Sequence, residues 1–600
     1  ASMVGLRDGL VAESQNRWPS LGFDVGAVNQ TLSPFLGAGF YYKTFMWPAS
    51  LWEKLYEPVI RRAAGLGRAS HVADAQDYEK RWAHCDLLVI GSGPAGLMAA
   101  LAAARAGARV VLCDENVEFG GRLLKDRVEI GDADGPGFVA GVIGELMASL
   151  NVRLLSNTTV FGAYDSGVYG AVERRDGAVS GPAQRVWRIV AKRAVLAAGA
   201  EERPLVFGGN DRPGVMTASA MRGLVNAQAI RPGDHVAVFA TGGSGHETAR
   251  DLLARGLAVT LVDARSDVPA AELAASDGAR VLSGHVVADA LGGKAVSGIE
   301  VIDRVSGKRQ RFKANALAMS GGWNPVVGLA CHRGDRPVWD AGTGMFLPPA
   351  ERDGLNSAGS AAGVLDLAGC LNSGAEAGAR AAGELGFKPR KADVPDVREA
   401  CGGSSGFATL WHVAEARGKA FVDFQNDVTV SDLGLAVREG YGHVELAKRY
   451  TTTGMATDQG KLSNVNAIGI LAENRGVSPD QVGTTTFRPF YTPVSIGALA
   501  GEHRGARYRP VRRSPLNGWA EKHGAVFIEA GAWMRASHFP RDGEVSWKEA
   551  CDRETLAVRA SVGQGRGQIP RSDLHRQDVD IGDRQGALWP DAARRRAFDG

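Results

Sequence analysis

Apolar residues first form an uninterrupted block at Cys85-Asp-Leu-Leu-Val-Ile90, with no polar alternation beyond Asp86. Such a run predicts a strand buried on both faces of a parallel sheet. Gly91-Ser-Gly-Pro-Ala-Gly96 follows directly, and an alanine-rich stretch then predicts a helix stopping near Gly107. Arg109–Glu115 predicts the second strand. A weaker copy of the pattern lies downstream. His235–Ala240 reads as a strand, Thr241-Gly-Gly-Ser-Gly245 as a glycine turn before a helix, and Ala258–Asp263 as the next strand. Two such units predict an α/β fold in which one doubly wound nucleotide fold is inserted into another.

The rest of the pattern divides the chain. Residues 1–84 form an N-terminal arm in which Phe40, Tyr41, Tyr42, Phe45, Trp47, Trp52 and Tyr56 crowd together, read as rings packing on their own chain. Residues 85–205 and 321–386 form the first dinucleotide-binding domain, and 206–320 the inserted one. The polar, Lys-, Pro-, Gly- and Ser-rich stretch opening at 387 marks a linker, 387–420. Helical and turn signals in 421–475 predict a small compact module. Residues 476–562, with several Arg and Pro, read as a connector. Residues 563–600, rich in Arg, Asp and Gln without apolar period, read as an anomalous tail.

Composition narrows the class. Hydrophobic residues are 44% and charged residues 22% of the chain, enough apolar material for a large core. With 69 Lys and Arg against 66 Asp and Glu, no strong field points to nucleic acid or an anionic membrane. The most apolar stretch, Leu87–Ala104, is broken by Gly91, Gly93, Pro94 and Gly96, which argues against a membrane span. The cysteines (Cys85, Cys113, Cys331, Cys370, Cys401, Cys551) form no Cys-x-x-Cys pair, and no signal peptide opens the sequence. A cytoplasmic location is the expectation. The histidines show no metal-ligand spacing, so no metal site is expected.

The candidate chemistry sits at Gly91-x-Gly93-x-x-Gly96. The first glycine permits a tight turn, the second lets backbone approach a pyrophosphate, and the third allows close helix–strand packing. The helix N-terminus then offers free N–H groups and a positive dipole end to phosphate. Asp114 and Glu115 end the second strand, where an acid can accept the ribose hydroxyls. An acid there favours NAD or FAD over NADP, and spacing does not choose between those two. Glu118-Phe-Gly-Gly121 follows, with Gly121 letting the loop pass close to ribose and pyrophosphate. In the second unit Thr248 replaces the third glycine, with Asp263 as the corresponding acid. The favoured reading there is a structural domain without nucleotide. His246 is read as a solvated turn histidine rather than an acid–base group.

The chain resembles the α subunits of heterotetrameric (complex-type) sarcosine oxidases. The resemblance is carried by Ser14-Gln-Asn-Arg-Trp-Pro-Ser20, Gly39-Phe-Tyr-Tyr-Lys-Thr-Phe-Met-Trp-Pro48, the Gly91–Gly96 turn and Arg212-Pro-Gly-Val-Met-Thr217. Ser320-Gly-Gly-Trp-Asn-Pro325 and Lys448-Arg-Tyr-Thr-Thr-Thr-Gly-Met-Ala-Thr-Asp-Gln-Gly460 extend it. It implies two nested dinucleotide folds of the pyridine nucleotide–disulfide reductase type. It also implies a complex with β, γ and δ subunits that demethylates sarcosine oxidatively to glycine. The one-carbon unit passes to tetrahydrofolate and the electrons to oxygen, giving hydrogen peroxide. FAD and covalent FMN belong to the β subunit, with FMN at the α–β interface, while the α fingerprint holds a non-catalytic NAD. By position, its NAD contacts fall on Ala95, Asp114, Glu115, Asn116, Arg122 and Val160, with Ala368, Ser373 and Ala375 further on. No catalytic residue is assigned to this chain. Thr484-Thr-Thr486 and Arg488 are the candidates for the FMN-facing surface.

The module at 421–475 resembles the bacterioferritin-associated ferredoxins. Asp423, Gln425, Asp458 and Ser463 fall where those carry thiolate ligands, so no iron–sulfur cluster is expected. Two departures from the family stand out. Little of its N-terminal ferredoxin-like segment is present, and the likeness stops near Ser561-Val-Gly563, ahead of its aminomethyltransferase-like folate domain. Ala587-Leu-Trp-Pro-Asp-Ala-Ala-Arg-Arg-Arg596, read one base later, can give a folate-domain-like sequence, so a frameshift would explain the tail. Two other readings remain. One is an FAD-binding subunit of a related amine or opine dehydrogenase; the other is a non-catalytic assembly platform.

Overall fold

A computed structural model describes residues 8–562, except 12–13, 15–16, 33–36, 66–70, 72, 176–180, 390–392 and 399–406. The proposed tail and part of the Ser14–Ser20 motif therefore lie outside the described residues. The chain divides into two compact units, 1–502 and 503–600.

In the first unit, β1 (Tyr78–Ile90) leads into α1 (Pro94–Arg105) and β2 (Val110–Cys113). Then come β3 (Val152–Leu155), β4 (Thr158–Tyr164), β5 (Val168–Arg174) and β6 (Gln184–Leu196). β1 starts seven residues before the apolar block at Cys85. It pairs in parallel with β6 from Tyr78–Gln184 to Ile90–Leu196, and its early residues are half-buried or exposed, so no continuous apolar run marks them. β2 stops at Cys113, before its two acids.

The inserted domain follows, with β7 (Val215–Thr217), β8 (His235–Ala240), α2 (Gly243–Leu253), β9 (Ala258–Asp263), β10 (Arg280–Ser283) and β11 (Ala316–Ser320). These strands form a parallel sheet in the order β7-β11-β8-β9-β10. The chain then returns to the first sheet through β12 (Leu355–Ser357), parallel to β6, and α3 (Leu367–Glu384). That sheet has the order β3-β2-β1-β6-β5-β4, with β12 beside β6 off this path. The β3-β2-β1-β6 core is parallel, while β5 and β4 add on antiparallel.

The apolar core of the first sheet joins Leu87, Val89 and Leu112 of its strands to Leu97 of α1 and Leu367 and Leu371 of α3. α3 comes close to α1 because glycines face it. A Cβ on Gly374 would lie 2.0 Å from the Ala95 carbonyl oxygen, and one on Gly378 2.2 Å from that of Ala99. The contacts advance in the same direction along both helices, so the helices are parallel and their N-termini share one end of the sheet.

The stretch read as a linker is packed where it is described. Trp411 and Val413 are buried, the Val413 N–H donates to Val206 O, and the Gly418 N–H donates to Asp289 at 2.7 Å. Beyond it, α4 (Val430–Arg438), α5 (Val444–Thr451) and α6 (Asn464–Arg475) close a separate small core on Leu433, Ile468, Ile470 and Leu471. A capping box from Thr429 and Asp432 opens α4. The aromatic arm reaches this module: the Ala38 N–H donates to Asp432, the Tyr450 hydroxyl to Ala38 O, and Lys43 pairs with Glu439. Phe45 packs on Phe40 and Tyr56, while Trp47 is 84% exposed.

The second unit carries its own three-stranded sheet (Arg512–Arg513, Trp533–His538, Val526–Ala530) and the helix Trp547–Val562. Among the described residues no helix is long and apolar enough to cross a membrane.

Candidate functional site

The glycine turn between β1 and α1 is built as its spacing requires. Gly91 has φ +97°, and a Cβ there would stand 2.4 Å from Ala197 O. A Cβ on Gly96 would stand 1.8 Å from Gly91 O, so the third glycine seats the helix on the turn. Gly93 is the reverse case, with nothing within 4 Å of its Cβ position. Its outer side is open, and it caps α1 without any side-chain hydrogen bond. The first amides of α1 therefore face an open space suited to a phosphate. The following loop closes over the turn: the Gly120 N–H donates to Ser92 Oγ at 3.1 Å, and Gly121 passes close to Gly93.

The two acids after β2 do different things. Asp114 is buried at 6% exposure and turned inward. Its carboxylate accepts from the Ser92 N–H (2.7 Å), the Ser92 hydroxyl (2.5 Å), the Asn116 N–H (2.8 Å) and Asn116 Nδ2 (3.0 Å). Glu115 is exposed beside it, its carbonyl accepting from Arg174 Nη2 at 3.0 Å. Asp114 thus holds the turn, and Glu115 is the acid left on the surface beside it.

The other sequence-selected positions surround this point unevenly. Ala95 lies buried under α3, Ala375 is buried on α3 itself, and Val160 is buried on β4. β4 is tied to Asp114 by the Thr158 N–H at 2.7 Å. Ser373 Oγ accepts from the Gly359 N–H at 3.0 Å, and a Cβ on Gly359 would touch Ala95. Ala368 is exposed in the first turn of α3. Arg122 donates to Asp126 (2.6 Å) and to Leu365 O (3.1 Å), bridging the loop to the segment that leads into α3.

The second glycine turn is a different case, and His246 corrects the sequence reading. It is fully buried, bonded through Nε2 to Asp263 (3.0 Å) and through Nδ1 to Ser276 (2.9 Å). Arg265 pairs with Asp263 at 2.8 Å and with Glu272 at 2.5 Å. Burial works to raise the Asp263 pKa, but the bonds from His246 and Arg265 outweigh it and hold the carboxyl low. Glu272 Oε1 stands 3.0 Å from the Cβ position of Gly243, at the start of α2. A carboxylate of the chain itself thus occupies the neighbourhood where a phosphate would dock, and the acid available for a ribose is already bonded. His246, Asp263 and Glu272 are near enough together to hold a cation. The Arg265 guanidinium already neutralises both carboxylates there.

Two cavities lie along the module and share Lys461 in their linings. The larger, about 550 Å³, is lined by Glu115, Asn116, Thr159 and Arg174 on one side and by residues 422–425, 457–458 and 461–463 of the module on the other. Asp423, Gln425, Asp458 and Ser463 all line it, so the structure brings together the four positions aligned with cluster ligands. They are knitted by hydrogen bonds: Asp423 accepts from the Gly454 N–H (2.7 Å) and the Asn426 N–H (3.0 Å), and Gln425 Oε1 from the Asp458 N–H (2.8 Å).

The smaller cavity, about 60 Å³, is lined by Glu201, Asn324, Lys461, Thr484, Thr485 and Tyr491 among others. Burial pushes the Glu201 carboxyl up to about 7, partly offset by Lys461. Burial also lowers the Lys461 ammonium, which donates to Tyr491 O at 2.9 Å and sits over the Tyr491 ring. Sequence reasoning missed Glu201 and Lys461; the second directly follows Gly460, the last residue of a motif used for the family likeness. Of the residues proposed to face FMN, Thr485 is buried and accepts from Asn464 Nδ2 at 3.1 Å, whereas Thr486 and Arg488 are exposed.

Residues 85–335 match the pyridine nucleotide-disulphide oxidoreductase family, and residues 417–503 match the sarcosine oxidase A3 domain. Sarcosine oxidase subunit alpha of Rhizobium meliloti (strain 1021) is 57% identical over 569 residues, covering 94% of this chain and 57% of its own length. The chain is a homologue of sarcosine oxidase subunit alpha. The Corynebacterium sp. (strain P-1) sarcosine oxidase subunit alpha is 41% identical over 521 residues, covering 83% of this chain and 54% of that protein. The chain thus spans little more than half the length of these sarcosine oxidase relatives. L-proline dehydrogenase from P. horikoshii shares the fold, with a TM-score of 0.56 at 21% identity, covering 71% of this chain and 81% of that one. The pyridine nucleotide-disulphide oxidoreductase domain implies a nucleotide or flavin cofactor.

Proposed function

We propose that this chain is the nucleotide-binding α subunit of a sarcosine oxidase complex and holds NAD in a structural role. The observation that carries the proposal is the division of labour between the two acids. Asp114 is consumed in shaping the turn, and Glu115 is left exposed to take the hydroxyls of a ribose. An acid in that place repels a 2′-phosphate, which favours NAD or FAD over NADP. The α1 amides and open Gly93 would hold the pyrophosphate, and Ala95, Asn116, Gly121, Arg122, Val160, Ala368, Ser373 and Ala375 frame the same place.

A nicotinamide dinucleotide can accept or donate hydride. In this chain its proposed work is to brace the fold, since no residue is assigned a catalytic role. Amine oxidation, on this reading, belongs to FAD in the β subunit, with covalent FMN at the α–β boundary. The surface around Thr484–Thr486 and Arg488 supplies hydroxyls and a guanidinium suited to a phosphate there. The complete α–β–γ–δ complex would convert sarcosine to glycine, pass the carbon to tetrahydrofolate and release hydrogen peroxide.

Peroxide formation from sarcosine tests the assignment of roles. The chain alone is expected to give none, and addition of the partner subunits is expected to restore it. Sarcosine oxidation by the isolated chain would overturn the proposal.

A further inference from the structure

The cavity of about 60 Å³ is lined from distant stretches of chain, around Glu201, around Asn324 and around Lys461. A water needs about 10–15 Å³ of such space, so the cavity has room for about four to six water-sized atoms. That is too little for a nucleotide or a flavin ring. Much of the wall is apolar, from Val327, Phe346, Ile468, Phe487 and Tyr491. Three polar side chains interrupt it, and each has bonding capacity that the chain leaves unused. Among the described residues no hydrogen bond or ion pair reaches the Glu201 carboxyl, although Lys461 lines the same cavity and acts on it electrostatically. Lys461 Nζ donates to Tyr491 O at 2.9 Å and to Asp458 O at 3.4 Å, which leaves one of the three ammonium protons. Asn324 is turned by Arg203, which is fully buried and donates to Asn324 Oδ1 from Nε (3.0 Å) and Nη2 (2.8 Å). The rings of Phe407 and Trp411 flank that guanidinium at 5.3 and 5.1 Å. With its oxygen engaged, Asn324 keeps Nδ2 as a donor without a partner among the described residues.

We propose that this cavity binds a small zwitterion of glycine's size, its ammonium held by Glu201 and its carboxylate by Lys461 and Asn324 Nδ2. An acid and a base that share a small cavity without closing on each other leave a gap suited to a molecule carrying both opposite charges. Such a molecule supplies each buried charge with the partner that the chain withholds. The apolar wall has room for one further methyl group, so an N-methylated glycine fits the same description. Glu201 must be ionised to hold an ammonium. Burial raises its carboxyl to about 7, with Asp458 and Glu115 adding to the rise and Lys461 opposing it. Binding near neutral pH therefore drives a proton off Glu201.

The test is calorimetry on the full chain, with glycine, sarcosine, acetate and methylamine as separate probes. Glycine or sarcosine is expected to bind. Acetate and methylamine, each with only one of the two charges, are expected to bind about tenfold more weakly or worse. Affinity for the zwitterion is expected to rise between about pH 6 and pH 8 as Glu201 ionises, with a buffer-dependent heat from the released proton. Glu201→Gln, which removes a buried acid without changing its shape, is expected to weaken the zwitterion about tenfold or more and to abolish that pH dependence. On the unsubstituted chain, the bound zwitterion is expected to slow amide exchange around Lys461, which needs no variant to fold. Failure of both zwitterions to bind the unsubstituted chain, as a cavity holding water alone would give, overturns the inference. Unchanged affinity in Glu201→Gln overturns it as well, and so does acetate or methylamine binding as tightly as glycine.

Discussion

The adjacent carboxylates that follow β2 are placed differently, one buried and hydrogen-bonded and the other exposed. Asp114 faces in and carries four hydrogen bonds from Ser92 and Asn116. Glu115 faces out. Their substitutions should separate. Glu115→Gln is expected to weaken NAD binding without lowering the melting temperature. Asp114→Asn is expected to do both, because an amide cannot accept all of those bonds, with a stability loss of about 1–3 kcal/mol. Thermal melts and NAD titrations of the two variants check this; equal melting temperatures would contradict it. Glu201 gives a pH-dependent prediction. Burial raises its folded pKa to about 7, so the folded chain holds the proton more tightly than the unfolded chain does. Its contribution to stability is complete below the ordinary carboxylate pKa and is lost as pH rises through about 7. Glu201→Gln should flatten the stability profile across that window and stabilise the chain at pH 8 by roughly 1–3 kcal/mol. Urea unfolding at pH 5 and pH 8 reads the difference, and parallel slopes for both proteins would count against it.

At the scale of elements, the helix pair α1–α3 carries the site, and its closeness depends on glycines. Gly374→Ala or Gly378→Ala would drive a methyl group into the backbone of α1, at an expected cost of about 1–3 kcal/mol or more. Gly141→Ala, in the helix Gly135–Ala148 with nothing near its Cβ position, is expected to stabilise by roughly 0.5–1 kcal/mol. Chemical denaturation of the variants checks both signs. The turn and α1 were legible because fixed spacing and local sterics define them, whichever chain surrounds them. β8 and β9 were legible as apolar runs for a similar reason. The first half of β1 was not, since its pairing with β6 is long-range and its side chains are partly exposed. His246 was misread because its burial comes from the residues around Ser276, packed over α2 from another part of the chain. The inward turn of Asp114 escaped for a similar reason: the spacing placed an acid at the strand end without saying which of two neighbours meets Ser92.

On the scale of the molecule, a cavity of about 550 Å³ brings Glu115, Asn116 and Arg174, which follow the first glycine turn in the dinucleotide fold, together with residues 422–425 and 461–463 of the module. The inserted domain repeats the fold, yet Glu272 stands at its glycine turn and Asp263 is bonded to His246 and Arg265. The same architecture therefore offers one open phosphate-facing helix end and one neighbourhood taken up by the chain's own carboxylate. In the module, Asp423, Gln425, Asp458 and Ser463 sit in a hydrogen-bonded wall above an apolar core of Leu433, Ile468 and Ile470. A structural NAD at the first glycine turn is the proposal on which the rest depends. Acid release of bound nucleotide from the purified chain, followed by chromatography against NAD, NADP, FAD and FMN, tests it most directly. Near-stoichiometric NAD from a colourless protein is the predicted result, and FAD from a yellow protein would contradict it and make this chain a redox subunit in its own right.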